Sequence, residues 1–329
     1  SRSFVRKHFN IPFQITRPQL IWAVLDGIIE TDFPKAPEII IFQNETSDVA
    51  WIPREGDIDR FYVRMDTKNF DQGDALAKIN QALRPHTLRF KEIVWFSHFS
   101  VKESVAEKFQ TQERIFLAGD ACHIHSVNGG QGLNTGIADA FNLIWKLNRV
   151  VTGQAPPELL QTYEAERKPA ALSVVETSGE LVRSTKYSDN GTHAQDYVKI
   201  VQKRAGHITG MGIRYGQQGL CGKRLFDFEI FDGTTATRIY SLLDYTQFTL
   251  LILGETQIEL NPPSFMKIIQ VHPRRSPTGY WTESKDYSGQ AILVRPDSYI
   301  FSAAPLDHVA SLVHELKNHE WFYKPAHPT

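Results

Sequence analysis

At 329 residues the chain is long enough for two or three packed units, because single cores stop growing at roughly 250 to 300 residues. Its 36 basic and 37 acidic side chains nearly balance, which gives no electrostatic reason to expect nucleic acid or an anionic membrane as a partner. Apolar runs are too short to cross a bilayer, no signal-peptide pattern opens the chain, and Cys122 and Cys221 form no CxxC pair. These features favour a cytoplasmic protein.

Residues 1–113 are predicted to form a mostly antiparallel sheet. Short β-branched and aromatic runs at 39–42, 49–52, 61–65 and 93–96 are separated by turn residues. A helix is predicted at 78–83.

Residues 114–205 are predicted to form a second domain with long helices. An apolar run ends in Gly119-Asp120, and a GGQG turn follows at 129–132. Beyond it, four apolar side chains recur at spacings of three and four and predict one face of a helix. They are Ile137, Phe141, Ile144 and Leu147. A long helical region is then predicted from about 158 toward 204, with Pro169 as a kink.

Residues 206–329 are predicted to form a third domain, in which strands alternate with loops and a helix at 305–319 closes the chain.

The glycine turn at 129–132, before the first predicted helix of the second domain, offers unpaired backbone N–H groups and the positive end of a helix dipole. It lacks a Walker lysine and is not GxGxxG, so a phosphate loop explains it poorly. Glycine also lets a flat ring approach the backbone. Taken alone, the glycines could equally form a simple tight turn.

Three motifs, GDACHIH at 119–125, NGGQGLNTGIADAFNLIWKL at 128–147 and LLQTYEAER at 159–167, together resemble the second flavin-contacting segment of the phenol-hydroxylase-like class A FAD monooxygenases. The resemblance implies a mixed α/β (α+β) fold. It would be the carboxyl-side part of a PHBH-like flavin monooxygenase, with an antiparallel substrate-domain sheet and a C-terminal thioredoxin-like domain.

The resemblance also implies roles for individual residues. Asp120 would bond the ribityl chain of FAD. The residues that would line the flavin ring are Gly130, Gly132, Leu133 and Asn134. His123 and His125 are predicted to pack beside the turn, since no third ligand at metal spacing accompanies them. Tyr163, Glu164 and Arg167 are predicted to form a structural hydrogen-bonded cluster.

Arg60 and Tyr62 lie two apart, so both project from the same face of a predicted strand. An arginine beside a tyrosine stabilises the phenolate, and such a tyrosine could take the proton from a phenolic substrate. The resembling enzymes carry a matching Arg-x-Tyr with this role, which implies a small aromatic substrate. An exposed arginine beside a core tyrosine is the alternative. Phe96, His98 and Phe99 are predicted to form an apolar wall or ordinary core packing.

Three departures limit the resemblance. No GxGxxG unit is present, so only half of an FAD site is expected. In the resembling enzymes a later Asp-Gly motif comes just before a Ser-x-Val-Arg sequence, and Ser3-Phe4-Val5-Arg6 matches that sequence. Val127 replaces the usual proline of the turn over the flavin ring, and Ser104 replaces a common arginine. These changes put the geometry over the ring and a contact between the substrate and flavin domains in doubt.

The sequence therefore predicts the carboxyl-side part of an FAD-dependent monooxygenase that consumes NAD(P)H and hydroxylates a phenolic substrate. The alternative is a flavin-free derivative, working as an acid/base catalyst such as an epoxide-opening cyclase or isomerase, or as a non-catalytic binding subunit. The C-terminal domain lacks CxxC, so it is predicted to serve packing or homodimer contacts rather than dithiol chemistry.

Overall fold

The computed structural model describes nine stretches of the chain, and Val127 lies outside them. They are residues 2–15, 20–42, 49–101, 103–126, 130–186, 194–216, 219–255, 260–276 and 279–321. The chain clusters into two compact units, each built from separated stretches. The first unit comprises Ser1–Lys108, Gly119–Leu133 and Ala171–Ile208, and the second comprises Phe109–Ala118, Asn134–Ala170 and Thr209–Thr329. The division into three consecutive domains stays a prediction.

The first part of the chain forms two short helical and seven extended elements. In chain order they are α1 (Phe4–His8), β1 (Phe13–Ile15), β2 (Leu20–Thr31), β3 (Ile40–Phe42), β4 (Val49–Pro53), β5 (Asp59–Met65), α2 (Gln72–Leu83), β6 (Leu88–Val101) and β7 (Ser104–Ala106). Five of these strands form an antiparallel sheet in the order β3-β4-β5-β2-β6. The predicted antiparallel sheet is therefore confirmed.

Helix α2 begins six residues before the predicted start at residue 78. Its first turn is fixed by a capping box, in which the Asp71 carboxylate accepts from the Asp74 backbone N–H and the Asp74 carboxylate accepts from the Asp71 N–H. Ala75, Ile79 and Leu83, at spacings of four, are buried against the sheet. The covered face of the sheet is thus the one that carries the apolar side chains.

Alternation along the strands gives the sheet a second, opposite face. The pairing places Asp26 of β2 between Arg60 of β5 and Trp95 of β6, and Val24 between Tyr62 and Ser97. Side chains two residues apart on a strand share a face. This polar face therefore brings together residues that are far apart in the sequence.

The middle of the chain is largely helical. Its elements are β8 (Gln110–Thr111), β9 (Ile115–Phe116), β10 (His123–Ile124), α3 (Gly132–Val151), α4 (Gln161–Lys186) and α5 (Ala194–Ile208). Strand β10 pairs with β7, which also pairs with β1. Pro169 lies inside α4, and residues 187–193 lie outside the described part of the chain.

The apolar residues predicted on one face of helix α3 include two that are exposed. Ile137 and Ile144 are 58% and 60% exposed. The covered side instead carries Asp139, Asn142 and Lys146, among others. The apolar spacing predicted the helix correctly. It could not predict that the opposite side, which carries buried ion-paired residues, would face the interior.

The second unit contains a mixed sheet of seven strands. They are β11 (Glu229–Asp232), β12 (Thr235–Arg238), β13 (Phe248–Leu253), β14 (Met266–His272), β15 (Tyr280–Trp281), β16 (Gln290–Val294) and β17 (Ile300–Pro305). Their order is β12-β11-β15-β14-β13-β16-β17. Strand β13 is parallel to β14 and antiparallel to β16. Helix α6 (Val309–Asn318) packs on this sheet through its apolar side.

The mixed α/β fold predicted from the resemblance is confirmed by this arrangement. Within the described part of the chain, no helix is both long and apolar enough to span a membrane.

Candidate functional site

The polar face of the first sheet is organised around a buried carboxylate. Asp26, which is 4% exposed, accepts two hydrogen bonds from Arg60, from Nε to Oδ1 at 2.7 Å and from Nη2 to Oδ2 at 2.7 Å. Arg54 Nη1 donates to Oδ2 of the same carboxylate at 2.9 Å. The remaining terminal nitrogen of Arg60, Nη1, lies 3.5 Å from the hydroxyl of Tyr62. The sheet thus brings the predicted Arg60 and Tyr62 together.

The pKa values of the ion pair follow from this geometry. The hydrogen bonds from Arg60 lower the pKa of Asp26, although burial opposes the shift. The hydrogen bonds to Asp26 raise the pKa of Arg60 further above its ordinary value. Arg60 is therefore permanently charged, but Asp26 balances that charge. The arginine can offer Tyr62 one N–H donor rather than an unbalanced positive charge.

Aromatic rings surround this pair on the same face. The rings of Tyr62 and Phe99 meet edge to face, with centroids 6.4 Å apart, and the guanidinium of Arg60 lies 5.4 Å from the centroid of Trp95. Phe96 and His98 point to the opposite face, where both contact Phe70. The predicted wall of Phe96, His98 and Phe99 is therefore split between the two faces.

The predicted flavin residues lie around a turn in the first unit. Asp120 lies in a 3₁₀ turn, Gly119–Ala121, and is exposed. Gly130 has a φ of +61°, and a Cβ built there would meet no atom of a described residue within 4 Å. Leu133 is 76% exposed at the start of α3. The backbone at Gly130 is therefore open to a flat ligand, as a flavin ring requires.

Asn134, the fifth predicted cofactor residue, is the first residue of the second unit and is exposed. Its role and those of the other four stay predictions. Val127, which replaces the proline usual in the resembling enzymes, lies outside the described residues.

His125 is the residue beside this turn whose protonation state follows from its contacts. Its Nδ1 lies 2.8 Å from the carbonyl oxygen of Ser126, and because a carbonyl only accepts, Nδ1 carries the proton. Nε2 then holds a lone pair, is buried, and has no partner among the described residues. Burial lowers the pKa of His125, so the ring is neutral at pH 7. The imidazole lies 3.5 Å from a Cβ built on Gly132, which confirms that His125 packs beside the turn.

The orphaned Nε2 and the open backbone at Gly130 both fit a flavin. An oxidised flavin offers a ring N–H and ribityl hydroxyls as donors, and its flat ring needs a surface without a Cβ. Among the described residues, no group of three or more His, Cys, Asp or Glu side chains is placed to hold a metal ion.

A buried glutamate in the same unit was not predicted from the sequence. Glu103 is 1% exposed, and its Oε1 accepts from the Ser126 backbone N–H at 3.4 Å and from Ser178 Oγ at 3.3 Å. Its neighbour Ser104, the residue that replaces a common arginine, is buried in β7. The Glu103 carboxylate therefore holds the backbone at Ser126, beside the glycine turn.

The predicted structural cluster in the second unit is confirmed. Tyr163 donates to the carbonyl of Leu117 at 2.7 Å, and the Glu164 carboxylate accepts from the backbone N–H of Phe109 at 2.9 Å. Arg167, which is fully buried, donates from Nε to Asp139 at 2.7 Å. These side chains hold backbone and buried charges in place.

A second buried network of hydrogen bonds and ion pairs was not predicted from the sequence. The Glu166 carboxylate accepts from Arg295 at 2.6 and 2.9 Å and from Lys146 Nζ at 2.8 Å, while Asp297 accepts from Arg295 at 2.6 and 2.9 Å. Burial alone would raise the pKa of Glu166, but the charges of Arg295 and Lys146 outweigh it and hold the pKa at about 2. Burial lowers the pKa of Lys146 to about 8. The RPD motif at 295–297 was the available signal.

Comparison with known proteins agrees with this arrangement. Residues 1–178 match the protein family described as FAD binding domain. Phenol 2-monooxygenase fsqG from Aspergillus fumigatus is 27% identical over 398 residues, covering 95% of this chain and 67% of that protein. The 3-hydroxybenzoate 4-monooxygenase from Comamonas testosteroni is 31% identical over 251 residues, covering 68% of this chain and 39% of that protein.

A solved structure, the OxyS anhydrotetracycline hydroxylase from Streptomyces rimosus, superposes with a TM-score of 0.71 at 26% identity, covering 98% of this chain and 67% of that one. The fold and the matched region define a class of FAD-binding proteins. Because the matched region exceeds half of the chain, the chain belongs to the family described as FAD binding domain, and the relatives it resembles are named monooxygenases, in line with the resemblance. The chain spans 67% of the Aspergillus relative and 39% of the Comamonas relative.

Proposed function

We propose that this chain supplies the substrate face and half of the FAD site of an NAD(P)H-consuming monooxygenase that hydroxylates a phenolic substrate. The observation that carries the proposal is the juxtaposition of Arg60 Nη1 and the Tyr62 hydroxyl at 3.5 Å on a sheet face lined by aromatic rings. That pair can receive a phenolic hydroxyl, and Arg60 is held in place by Asp26.

Bound FAD, once reduced by NAD(P)H, would supply the activation of dioxygen. The residues of this chain would do the rest of the positioning. The Tyr62 oxygen would accept a hydrogen bond from the phenolic hydroxyl and take its proton as the tyrosine's own proton passes to solvent, while Arg60 donates to the tyrosine oxygen. Asp120 would take ribityl hydroxyls, and Gly130, Gly132, Leu133 and Asn134 would let the ring approach the backbone.

An exposed apolar stripe supports the proposal that a further polypeptide unit completes the enzyme. Along α3, Ile137, Ala140, Ile144 and Val151 are exposed at spacings that place them on one side of the helix. Val151 is 81% exposed. Stripes of this kind usually mark an interaction surface. A unit corresponding to the third of the Aspergillus relative that lies outside the matched region is the proposed occupant.

Flavin titration tests the half-site. If this chain binds only the ring and ribityl part, FMN and FAD should bind with affinities within about threefold of each other, because the adenosine part gains no contacts. Binding is measured through flavin fluorescence, and ADP serves as the competitor that should have no effect. Tight, stoichiometric binding of FAD alone would contradict the half-site, and binding of neither flavin at millimolar concentration would contradict the cofactor.

The roles of Arg60 and Tyr62 are tested in the flavin-loaded assembly of this chain with the completing unit. Tyr62→Phe should lower kcat for a phenolic substrate about a hundredfold, because a positioned general base contributes at least that much. Reduction of the flavin by NAD(P)H should be unchanged. Tyr245→Phe, at an exposed tyrosine of the second unit, is the matched control. Turnover of substrate by the colourless chain without NAD(P)H would instead favour the flavin-free alternative.

A further inference from the structure

The polar face of the first sheet contains a buried hydrogen-bond donor that finds no acceptor in the described part of the chain. Trp22 is 6% exposed, and its indole Nε1 is buried and has no partner among the described residues. Two other indole groups are satisfied. Trp51 donates to the Asp59 carboxylate at 2.7 Å, and Trp281 donates to the carbonyl of Gly233 at 3.0 Å. Because a buried N–H without a partner is costly, the unpaired donor calls for a physical explanation.

One other buried indole, that of Trp145, also has no partner among the described residues, but its setting differs. Trp145 lies in the apolar cluster of the second unit and meets Phe248 edge to face. No residue of a proposed site shares that cluster. The donor of Trp22, by contrast, belongs to the strand that carries Asp26.

The strand pairing places Trp22 on the substrate face. Within β2, Trp22 and Asp26 are four residues apart, so their side chains project from the same side of the sheet. Trp22 is directly opposite Phe99 of β6, whose ring contacts Tyr62. Tyr62 is the diagonal neighbour of Trp22 across β2 and β5, a relation in which the Cα atoms are typically about 7 to 8 Å apart. The indole therefore lies on the same face as the Arg60–Tyr62 pair, one diagonal position away.

We propose that the indole N–H of Trp22 donates to a second oxygen atom of the aromatic substrate, so that the substrate is a phenol that also carries a carbonyl, ether or hydroxyl oxygen. This inference rests on the proposed function, in which Arg60 and Tyr62 receive the phenolic hydroxyl. An indole nitrogen donates and never accepts, so its partner has to be an acceptor. Trp22 is then a specificity-determining residue.

The energetics favour discrimination by this group. A site with a buried donor disfavours a ligand that offers it no acceptor, because the donor stays unpaired in the complex. An alkyl-substituted phenol would fill the same space and leave the indole unsatisfied. A phenol with an oxygen acceptor would pair it. The expected preference is about tenfold, the effect of one net hydrogen bond.

The test compares two probes of nearly equal shape, 3-hydroxyacetophenone and 3-ethylphenol, on the intact chain. Binding is followed by ¹H–¹⁵N NMR of the indoles and by ¹H–¹³C NMR of the tyrosine rings. The Trp22 and Tyr62 resonances are assigned by their loss in Trp22→Phe and Tyr62→Phe. The ketone is expected to bind about tenfold more tightly and to move the Trp22 indole proton downfield, whereas the alkylphenol should not. Trp22→Phe should abolish the preference. Trp95→Phe, at a half-exposed tryptophan on the same face, should keep it.

The outcomes separate this inference from the proposed function. Equal affinity for the two probes, with shifts at the Tyr62 ring but none at the Trp22 indole, would overturn the role of Trp22 and leave the phenol site standing. Absence of shifts at both residues with either probe at millimolar concentration would overturn the phenolic substrate and the role of Trp22 together. The comparison of probes on the unaltered chain decides the matter even where Trp22→Phe folds poorly.

Discussion

Asp26 and Arg60 form a bidentate ion pair across neighbouring strands, with both nitrogen–oxygen distances at 2.7 Å. Charge-assisted pairs of this geometry are stronger and more directional than single hydrogen bonds. The pair leaves one terminal nitrogen of Arg60 for Tyr62. Asp26 therefore positions Arg60, although it need not touch the substrate.

Replacement of this carboxylate tests its positioning role. Asp26→Asn should lower the free energy of unfolding by about 2 kcal/mol, because a buried, charge-assisted pair is weakened while Arg54 and Arg60 stay charged. Urea unfolding at pH 7 measures the change. Glu55→Gln, at a neighbouring carboxylate whose side chain is 89% exposed, should leave unfolding unaltered.

The same carboxylate predicts a pH dependence of stability. The folded pKa of Asp26 is lowered, so its contribution is present above the pKa of an ordinary aspartate and is lost as the pH falls below it. Asp26→Asn should therefore flatten part of the decline in stability on the acid side. An unchanged acid profile in the variant would contradict the assignment of the lowered pKa to the Arg60 pair.

The sequence was sufficient to predict β3, β4, β5 and β6 but not β2, the strand that carries Asp26. It also placed Arg60 and Tyr62 on one face, because two-residue alternation is a local property. It could not predict that Asp26 would neutralise Arg60, since the two residues are 34 positions apart and meet only through strand register. Strand alternation, by contrast, is local, and it already separates Phe99 from Phe96 and His98, so the predicted single wall was wrong. Family resemblance supplied the flavin residues, which no spacing rule would have identified.

Helix α3 shows a second limit of sequence patterns. An apolar spacing predicts a helix and a stripe, but the side facing the interior depends on what packs there. Lys146 and Asn142 are buried because the Glu166 carboxylate accepts hydrogen bonds from both. Neither pairing is visible in the local sequence. Buried polar groups that are fully paired can thus outweigh the apolar pattern in setting the orientation of a helix.

Adjacent residues of α3 provide a test of the exposed stripe. Ile144→Gln should change the free energy of unfolding of the chain by less than about 0.5 kcal/mol, because Ile144 is 60% exposed. Leu143→Ala, one residue earlier and 8% exposed, should cost about 2 to 4 kcal/mol. Thermal or urea unfolding distinguishes the two. Ile144→Gln should, however, weaken association with the completing unit more than Leu143→Ala does. A large loss of stability in Ile144→Gln would mean that the stripe is covered within this chain.

His125 offers a test of the cofactor half-site through the two positions of its ring nitrogens. Asparagine can replace the donor at Nδ1 but not the acceptor at Nε2, whereas glutamine can place an acceptor near Nε2. If Nε2 accepts from a flavin donor, His125→Asn should weaken FMN binding about tenfold and His125→Gln by less than about threefold.

N3-methylated riboflavin distinguishes the two kinds of flavin donor in that experiment. If the ring N–H is the partner, the methylated compound should bind the unaltered chain and His125→Asn equally. If a ribityl hydroxyl is the partner, the methylated compound should keep the full difference. His8→Asn, at an exposed histidine of the same unit, is the control. Equal FMN affinity in all three variants would remove His125 from the flavin site.

Glu166 is expected to be the dominant acid-sensitive group of the second unit. Its pKa is lowered to about 2 from an ordinary value of 4.5, so its contribution to stability is fully present above pH 4.5 and is lost as the pH falls toward 2. Glu166→Gln should cost about 3 kcal/mol at pH 7, because Lys146 loses its carboxylate partner in a buried site and Arg295 keeps only Asp297. The variant should also lose this part of the acid dependence. Glu158→Gln, at an exposed glutamate eight residues earlier, should behave like the unaltered chain, and an acid limb retained in Glu166→Gln would show that other carboxylates control the transition.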